Sequence, residues 1–231
     1  MTADDDRSMA ARWEKLHEQP RFLPRYPHEQ VVRWAFRSFA RSGAAKPKLL
    51  DHGCGGGRHA LFLAEEGFEA HACDVSRSGI EAVKARAEAR GLAIDARVAD
   101  DLSVYPDAAF DGVLSFGVLY YLPYRDAVAA IDAVHRILRP GGRFLCVTRT
   151  DRDGRLLQAE PAAAPFTARL SGISADGPSD AEAGMEMLFF PREEIERLFA
   201  GFAELTIDRM SYVHGEFADD DWVISATKGA R

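Results

Sequence analysis

The sequence predicts an α/β fold: a mostly parallel sheet with helices on both faces and an antiparallel hairpin at its C-terminal end. Three observations carry this reading. Past residue 46, short apolar runs alternate with helical stretches, the pattern of successive βαβ units. A glycine-rich turn joins the first run to the first helix, as close backbone approach to a ligand requires. The last two apolar runs are separated by too few residues for a crossover helix, so they must pair antiparallel.

The elements follow from local signals. Lys48–Leu50 is the first strand, and His59–Glu66 is a helix stopped by Gly67. Glu69–Cys73 is the second strand. Ser76 then caps a helix that runs to Arg90 before Gly91. Asp95–Ala99 and Phe110–Phe116 read as strands three and four. Ala127, Ile131, Val134 and Leu138 share one face of a helix over Asp126–Leu138, ended by Pro140-Gly141-Gly142. Arg143–Val147 is the fifth strand, and Pro191 opens a helix through Phe199. Ala203–Tyr212 and Asp221–Ala226 are the closing pair, joined by Val213–Asp219.

Two segments lie outside that core. Residues 1–45 predict a helical cover, with Val31, Ala35 and Phe39 on one face and a turn at Pro20–Pro24. Residues 46–231 are the main domain, with an excursion at 151–187 in which 18 of 37 residues are Ala, Gly, Pro or Ser. Such a stretch is expected on the surface, as a lid or a loose loop.

Composition narrows the function. A 47% apolar content supports a packed core, and no run approaches the ~20 apolar residues of a membrane helix. Three cysteines without a CxxC pair and no signal-peptide pattern predict reduced thiols and a cytoplasmic setting. A net charge of −7 argues against a general nucleic-acid binder. The charge is uneven, however: residues 7–48 hold ten Lys/Arg against three Glu. That segment could hold an anion.

The strongest motif is Leu49-Leu50-Asp51-His52-Gly53-Cys54-Gly55-Gly56-Gly57-Arg58. A dinucleotide fingerprint would need Gly or Ala where Arg58 stands. Asp51 would also repel a pyrophosphate, whereas it attracts an ammonium or a sulfonium. Asp74 ends the second strand and can accept both hydroxyls of a ribose. Asp100 and Asp101 follow the third strand, either being placed to accept from an adenine amino group, and Leu102 and Phe116 could sandwich the ring. Cys54 reads as a small filler residue, with no partners for a metal. His135 reads as a core histidine, and Asp219-Asp220-Asp221 as a solvated loop run.

On these residues the chain resembles the class I S-adenosylmethionine-dependent methyltransferases. The matching stretches are D-H-G-C-G-G-G (51–57), Asp74, Asp100-Asp101-Leu102, F-D-G-V-L-S-F-G-V-L-Y-Y-L (110–122) and L-R-P-G-G-R-F-L (138–145). G-R-H-A-L-F-L-A-E-E-G-F (57–68) is similar to small-molecule enzymes of the tellurite-resistance type. W-E-K-L-H with R-Y-P is similar to relatives from natural-product and polysaccharide gene clusters. His52 departs from the aliphatic residue usual there. The resemblance implies a three-layer, Rossmann-like, seven-stranded sheet and S-adenosylmethionine as cofactor, with S-adenosylhomocysteine as product. It assigns cofactor contacts to Asp51, Gly53, Cys54, Gly55, Gly57, Asp74, Val75, Asp100, Asp101, Leu102 and Phe116. Arg21 or Arg25, the latter beside Tyr26, could close over the cofactor from the N-terminal cover, with Arg58 the local alternative.

The acceptor is expected above the carboxyl ends of the strands. Tyr120, Tyr121, His214 and Glu216 are the titratable candidates for handling its proton, with His214 the best matched to neutral pH. A small metabolite acceptor, methylated on O or N, is the primary reading, in a monomer or homodimer without membrane or nucleic-acid partners. The alternatives are an RNA or protein methyltransferase using the basic segment, or a non-catalytic adenosyl-ligand module. The N/D-P-P-Y/F tetrapeptide of amino-directed nucleic-acid enzymes is missing, and Ser115-Phe116-Gly117-Val118 stands in its place.

Overall fold

A computed structural model describes residues 11–17, 23–40, 46–171, 173–174, 177–178 and 182–230, with the side chains of 173, 174, 177 and 178 excepted. Residues 11–17 form helix α1 and Glu29–Ser38 form α2. Then follow β1 (Lys48–His52), α3 (Arg58–Glu65), β2 (Glu69–Asp74), α4 (Arg77–Glu88), β3 (Ile94–Val98), β4 (Phe110–Phe116), α5 (Tyr124–Ile137) and β5 (Leu138–Arg149). The short strands β6 (Glu160–Pro161), β7 (Thr167–Arg169), β8 (Ile173–Ser174), β9 (Gly177–Pro178) and β10 (Glu186–Leu188) fall in the excursion. Helix α6 (Arg192–Leu198) and the hairpin β11 (Glu204–His214) and β12 (Phe217–Thr227) end the chain.

Seven strands make one sheet in the order β11-β12-β5-β4-β1-β2-β3. The five strands from β5 to β3 are parallel, and β12 runs antiparallel to both neighbours. Strand order reverses beside β1, so the ends of β1 and β4 open a crevice at the carboxyl edge.

The period-2 alternation of the strands sorts the core into two faces. Leu49, Leu114, Leu145, Val147 and Val223 pack with Val31 and Trp34 of α2 and Phe62 and Leu63 of α3. Leu50, Val113, Phe144 and Cys146 pack with Ile131 and Val134 of α5 and Ile195 and Phe199 of α6. Together with the sheet these make three layers. No described helix is long and apolar enough to cross a membrane.

Several boundaries differ from expectation. Helix α5 stops at Ile137 and β5 begins at Leu138, with Pro140-Gly141-Gly142 inside an irregular strand start; Gly141 N and Gly142 O bond to Lys228. Pro191 is the N-cap rather than the first residue of α6. The closing strands are longer than their apolar runs: only Gly215 and Glu216 separate them, with Gly215 at φ +64°. The expected Val213–Asp219 connection is therefore a two-residue turn at the tip of a projecting ribbon.

Most instructive is Asp219-Asp220-Asp221, which is not a solvated run. These residues lie in β12, with Asp220 and Asp221 buried. Arg209 and Thr150 donate to Asp220, Arg155 donates to Asp219, and Arg149 donates to Asp221. The excursion is likewise more than a loose loop in its described parts. Strands β6, β7 and β10 make a small sheet, and Met185, Met187, Leu188, Phe189 and Phe190 are buried.

Candidate functional site

The glycine turn is shaped by backbone that only glycine adopts without strain. Gly53, Gly55 and Gly57 all have positive φ. A Cβ on Gly53 would stand 2.3 Å from Val118 Cγ2, and one on Gly57 2.6 Å from Val83 Cγ2. Gly57 N-caps α3, and Gly53 and Cys54 both donate to Cys73 O, which clamps the turn to the end of β2. Cys54 is buried against Ile80, Val83 and Ala60, as a filler would be.

Each acid beyond a strand end has its own setting. Asp51 is buried and accepts from Ala60 N at 3.1 Å, in the first turn of α3. Burial outweighs that bond and pushes its pKa up to about 7. His59 Nδ1 lies 3.9 Å from the other Asp51 oxygen. Asp74 accepts from Gly55 N and Ser76 N, both at 2.8 Å, so it ties the turn to the α4 start. A carboxylate has roughly four acceptor positions, which leaves room for further donors. Asp101 accepts from Ser103 N at 2.8 Å and caps a short turn, which holds its pKa down. Asp100 beside it is exposed, and so is the apolar Val75 after Asp74.

Leu102 and Phe116, expected on either side of an adenine ring, belong to different faces of the sheet. Leu102 packs with the α5 face of the sheet and Phe116 with the α2–α3 face. The Phe116 ring instead gathers His28 at 4.6 Å, His59 at 5.1 Å and the Arg58 guanidinium at 5.3 Å. His28 caps α2 by accepting Gln30 N through Nδ1, so its neutral ring carries the proton on Nε2, which faces the Tyr212 hydroxyl at 3.5 Å. His59 Nε2 is buried without a hydrogen-bond partner among the described residues. Burial holds the pKa of both histidines down, and that of His52, whose Nδ1 lies 3.3 Å from Ser115 Oγ, at about 4.

The expected acceptor-handling residues divide. Tyr120 and Tyr121 are adjacent after β4, with rings 4.4 Å apart, and Tyr121 donates to Glu182 at 2.6 Å. Burial raises both phenol pKa values, so they remain protonated donors rather than bases. His214 and Glu216 sit exposed at the hairpin tip. Strand β5 ends at Arg149, paired with Asp221, and the ribbon projects four further pairs beyond it. The structure therefore does not bring His214 and Glu216 to the tyrosines.

Helix α1 covers the edge. Glu14 accepts from Ser76 Oγ at 2.9 Å and Ser78 N at 3.0 Å, Trp13 meets Tyr121 edge-on at 4.7 Å, and Arg12 donates to Ala183 O at 2.6 Å. His17 is buried against Gly55 and Gly79, and its Nδ1 has no hydrogen-bond partner among the described residues. Arg86 fastens Leu23 O and Gly56 O, which brings the next segment to the glycine turn. Arg25 and Tyr26 are exposed and stack on each other at 5.5 Å. Arg21 lies outside the described residues. Sequence reasoning quoted Trp13, Glu14 and His17 within W-E-K-L-H without giving them a role, and it missed His28 and His59 as site residues. His59, directly behind the glycine turn, carried a local signal.

Residues 49–142 match a family model for the methyltransferase domain. Those residues are a methyltransferase domain. Over about 103 residues the chain is 32% identical to a ubiquinone biosynthesis O-methyltransferase of Xylella fastidiosa, covering 44% of this chain and 41% of that protein. Over 107 residues it is 36% identical to the methyltransferase GfsG of Streptomyces halstedii, covering 44% and 37%. The aligned part thus spans well under half the length of these curated relatives. The fold extends further. A 1,6-didemethyltoxoflavin-N1-methyltransferase of Burkholderia thailandensis superposes with TM-score 0.68 at 18% identity, over 99% of this chain and 92% of that one. TehB from Haemophilus influenzae gives 0.61 at 19%, over 87% and 62%. The methyltransferase domain therefore holds β1 to the start of β5 and carries the glycine turn and all four strand-end acids.

Proposed function

We propose that this protein transfers a methyl group from S-adenosylmethionine to the oxygen or nitrogen of a small acceptor. One observation carries the reading: acids close the ends of β1, β2 and β3 around a turn of positive-φ glycines. Asp51, buried with one oxygen free of hydrogen bonds among the described residues, suits an ammonium; Asp74 suits ribose hydroxyls; and Asp100, exposed just past the Ala99 N–H that donates to Asp74 O, suits adenine. When bound, the cofactor supplies an electrophilic methyl group.

The chain's own contribution is orientation and exclusion of water. Asp51 sets the amino end, the turn positions the backbone N–H groups, and α1 with Tyr121 covers the edge. The ring cluster at Phe116, with His28 Nε2–H and His59, offers a hydrogen-bond donor and a buried ring nitrogen without a partner among the described residues. A cover that packs α1 on Tyr121 and on the excursion at Ala183 leaves room for a metabolite more readily than for a macromolecule. The similarity to a ubiquinone biosynthesis O-methyltransferase and to the fold of a 1,6-didemethyltoxoflavin-N1-methyltransferase supports that choice. Residues 1–45 act as the cover and 46–231 as the transferase body in this reading.

Calorimetry tests it. S-adenosylhomocysteine is expected to bind at micromolar levels while NAD does not; NAD binding without the adenosyl ligand overturns the reading.

A further inference from the structure

Along the outer side of α3, a groove of about 290 Å³ is lined by Arg25, Tyr26, Pro27, Arg58, Phe62, Glu65 and Arg90. Arg58, Phe62 and Glu65 share one helical face, and seven residues of rise make the groove about 10 Å long. Its charge is out of balance. Arg90 pairs with Glu65 at 2.7 Å, which accounts for both. Arg58 and Arg25 make no hydrogen bond or ion pair among the described residues; their recorded contacts are the faces of Phe116 and Tyr26. Arg58 is largely buried, and burial lowers its pKa. Asp51 acts on Arg58 only at a distance, without a hydrogen bond or ion pair to it. A partly buried guanidinium with no directly paired carboxylate is costly, and a bound oxyanion reduces that cost.

We propose that Arg58 and Arg25 form an oxyanion subsite that holds a carboxylate or phosphate group of the methyl acceptor. Two features give it to the acceptor. The groove leads away from the glycine turn toward Glu65, with Phe62 and Tyr26 flanking space for an apolar body. At its near end the Arg58 guanidinium covers Phe116, the same ring that His28 and His59 face, so an anion held there lies against that ring cluster at the glycine-turn end of the groove. Paired arginine forks suit either oxyanion. The subsite rests on the methyltransferase reading only in assigning its ligand to the acceptor.

The experiment titrates benzoate and inorganic phosphate separately into the protein at about 100 mM salt, with and without saturating S-adenosylhomocysteine. One of the two anions is expected to bind at about 10 mM or tighter, and the stronger one assigns the oxyanion class. Arg58→Gln should weaken that binding about tenfold and Arg25→Gln about threefold. Arg139→Gln, which removes the same charge beside Asp111 on the surface, should change it less than about twofold. S-adenosylhomocysteine affinity should stay within about threefold in all three variants. Absence of binding by both anions overturns the subsite, as does an equal loss in Arg139→Gln. A fall in S-adenosylhomocysteine affinity with Arg58→Gln, or competition between it and the anion, returns the arginine to the cofactor and overturns the assignment. Failure of wild-type protein to bind S-adenosylhomocysteine defeats the methyltransferase reading instead, while the titration without it still decides the groove.

Discussion

At the scale of single residues, Asp51 makes the most distinctive demand on solution behaviour. Burial lifts its pKa to about 7 in the fold, against an ordinary value of 3.8. Between those values the folded state binds the extra proton, so this residue's contribution favours folding at low pH and is lost as pH rises to about 7. Asp51→Asn should therefore gain on wild type by a few kcal/mol between about pH 5 and 8, read by urea denaturation at both pH values. A difference that does not change with pH would show that Asp51 ionises normally. The same residue should make wild-type S-adenosylhomocysteine affinity increase as pH passes about 7, and Asp51→Asn should flatten that rise. Asp74 carries a different double load. It receives two backbone N–H groups besides any ribose, so Asp74→Ala should lower stability by about 1–3 kcal/mol as well as weaken the adenosyl ligand about tenfold or more. A variant of full stability with weakened binding would mean that the two backbone bonds contribute little.

At the scale of elements, the glycine turn and helix α1 behave oppositely. The turn is a fixed part: Gly53→Ala must place its Cβ inside contact with Val118 at φ +66°. We expect it to lose about 2–4 kcal/mol of stability together with cofactor binding, measured by denaturation and calorimetry. Unaltered stability would mean that Val118 yields freely. Helix α1 contributes no strand to the sheet, and it rests on Ser76, Ser78, Tyr121 and Ala183 through a few contacts. The double change Trp13→Ala, Glu14→Ala should keep the fold and release S-adenosylhomocysteine about tenfold faster. Amides of residues 11–17 and 182–188 should exchange more slowly when the ligand is bound. Unchanged exchange in both segments would remove the cover from the mechanism.

For the whole molecule, what was legible in the sequence was what local chemistry decides. Ser76, Gly67, Gly91 and the alternating apolar runs each act on their own neighbourhood, so β1 to α5 could be placed within a few residues. The glycines and acids of the turn were legible for the same reason. Contacts between distant segments were not. Glu14 meets Ser76 across 62 residues, and Phe116 turns to His28 rather than to Leu102 because alternation puts it on the other face of the sheet. Three consecutive aspartates read as solvated because their arginine partners come from β5, β11 and the excursion. Asp153 is the centre of that assembly: fully buried, it accepts from Arg149, from Arg155 and from Asp220 N. Arg149 also covers Tyr120 at 5.1 Å, and Arg155 reaches Glu182, the partner of Tyr121. One carboxylate thus joins the excursion to the sheet and to the tyrosines at the site. Its removal leaves two largely buried guanidinium groups short of counter-charge, a loss on the order of 3–5 kcal/mol. Asp153→Ala should unfold at correspondingly lower urea and admit protease within 151–187 before the sheet opens. Adding Arg155→Met should recover part of the loss, since the two changes act on one network. If Asp153→Ala costs no more than breaking the surface pair Arg139–Asp111, the network does not hold the excursion to the sheet.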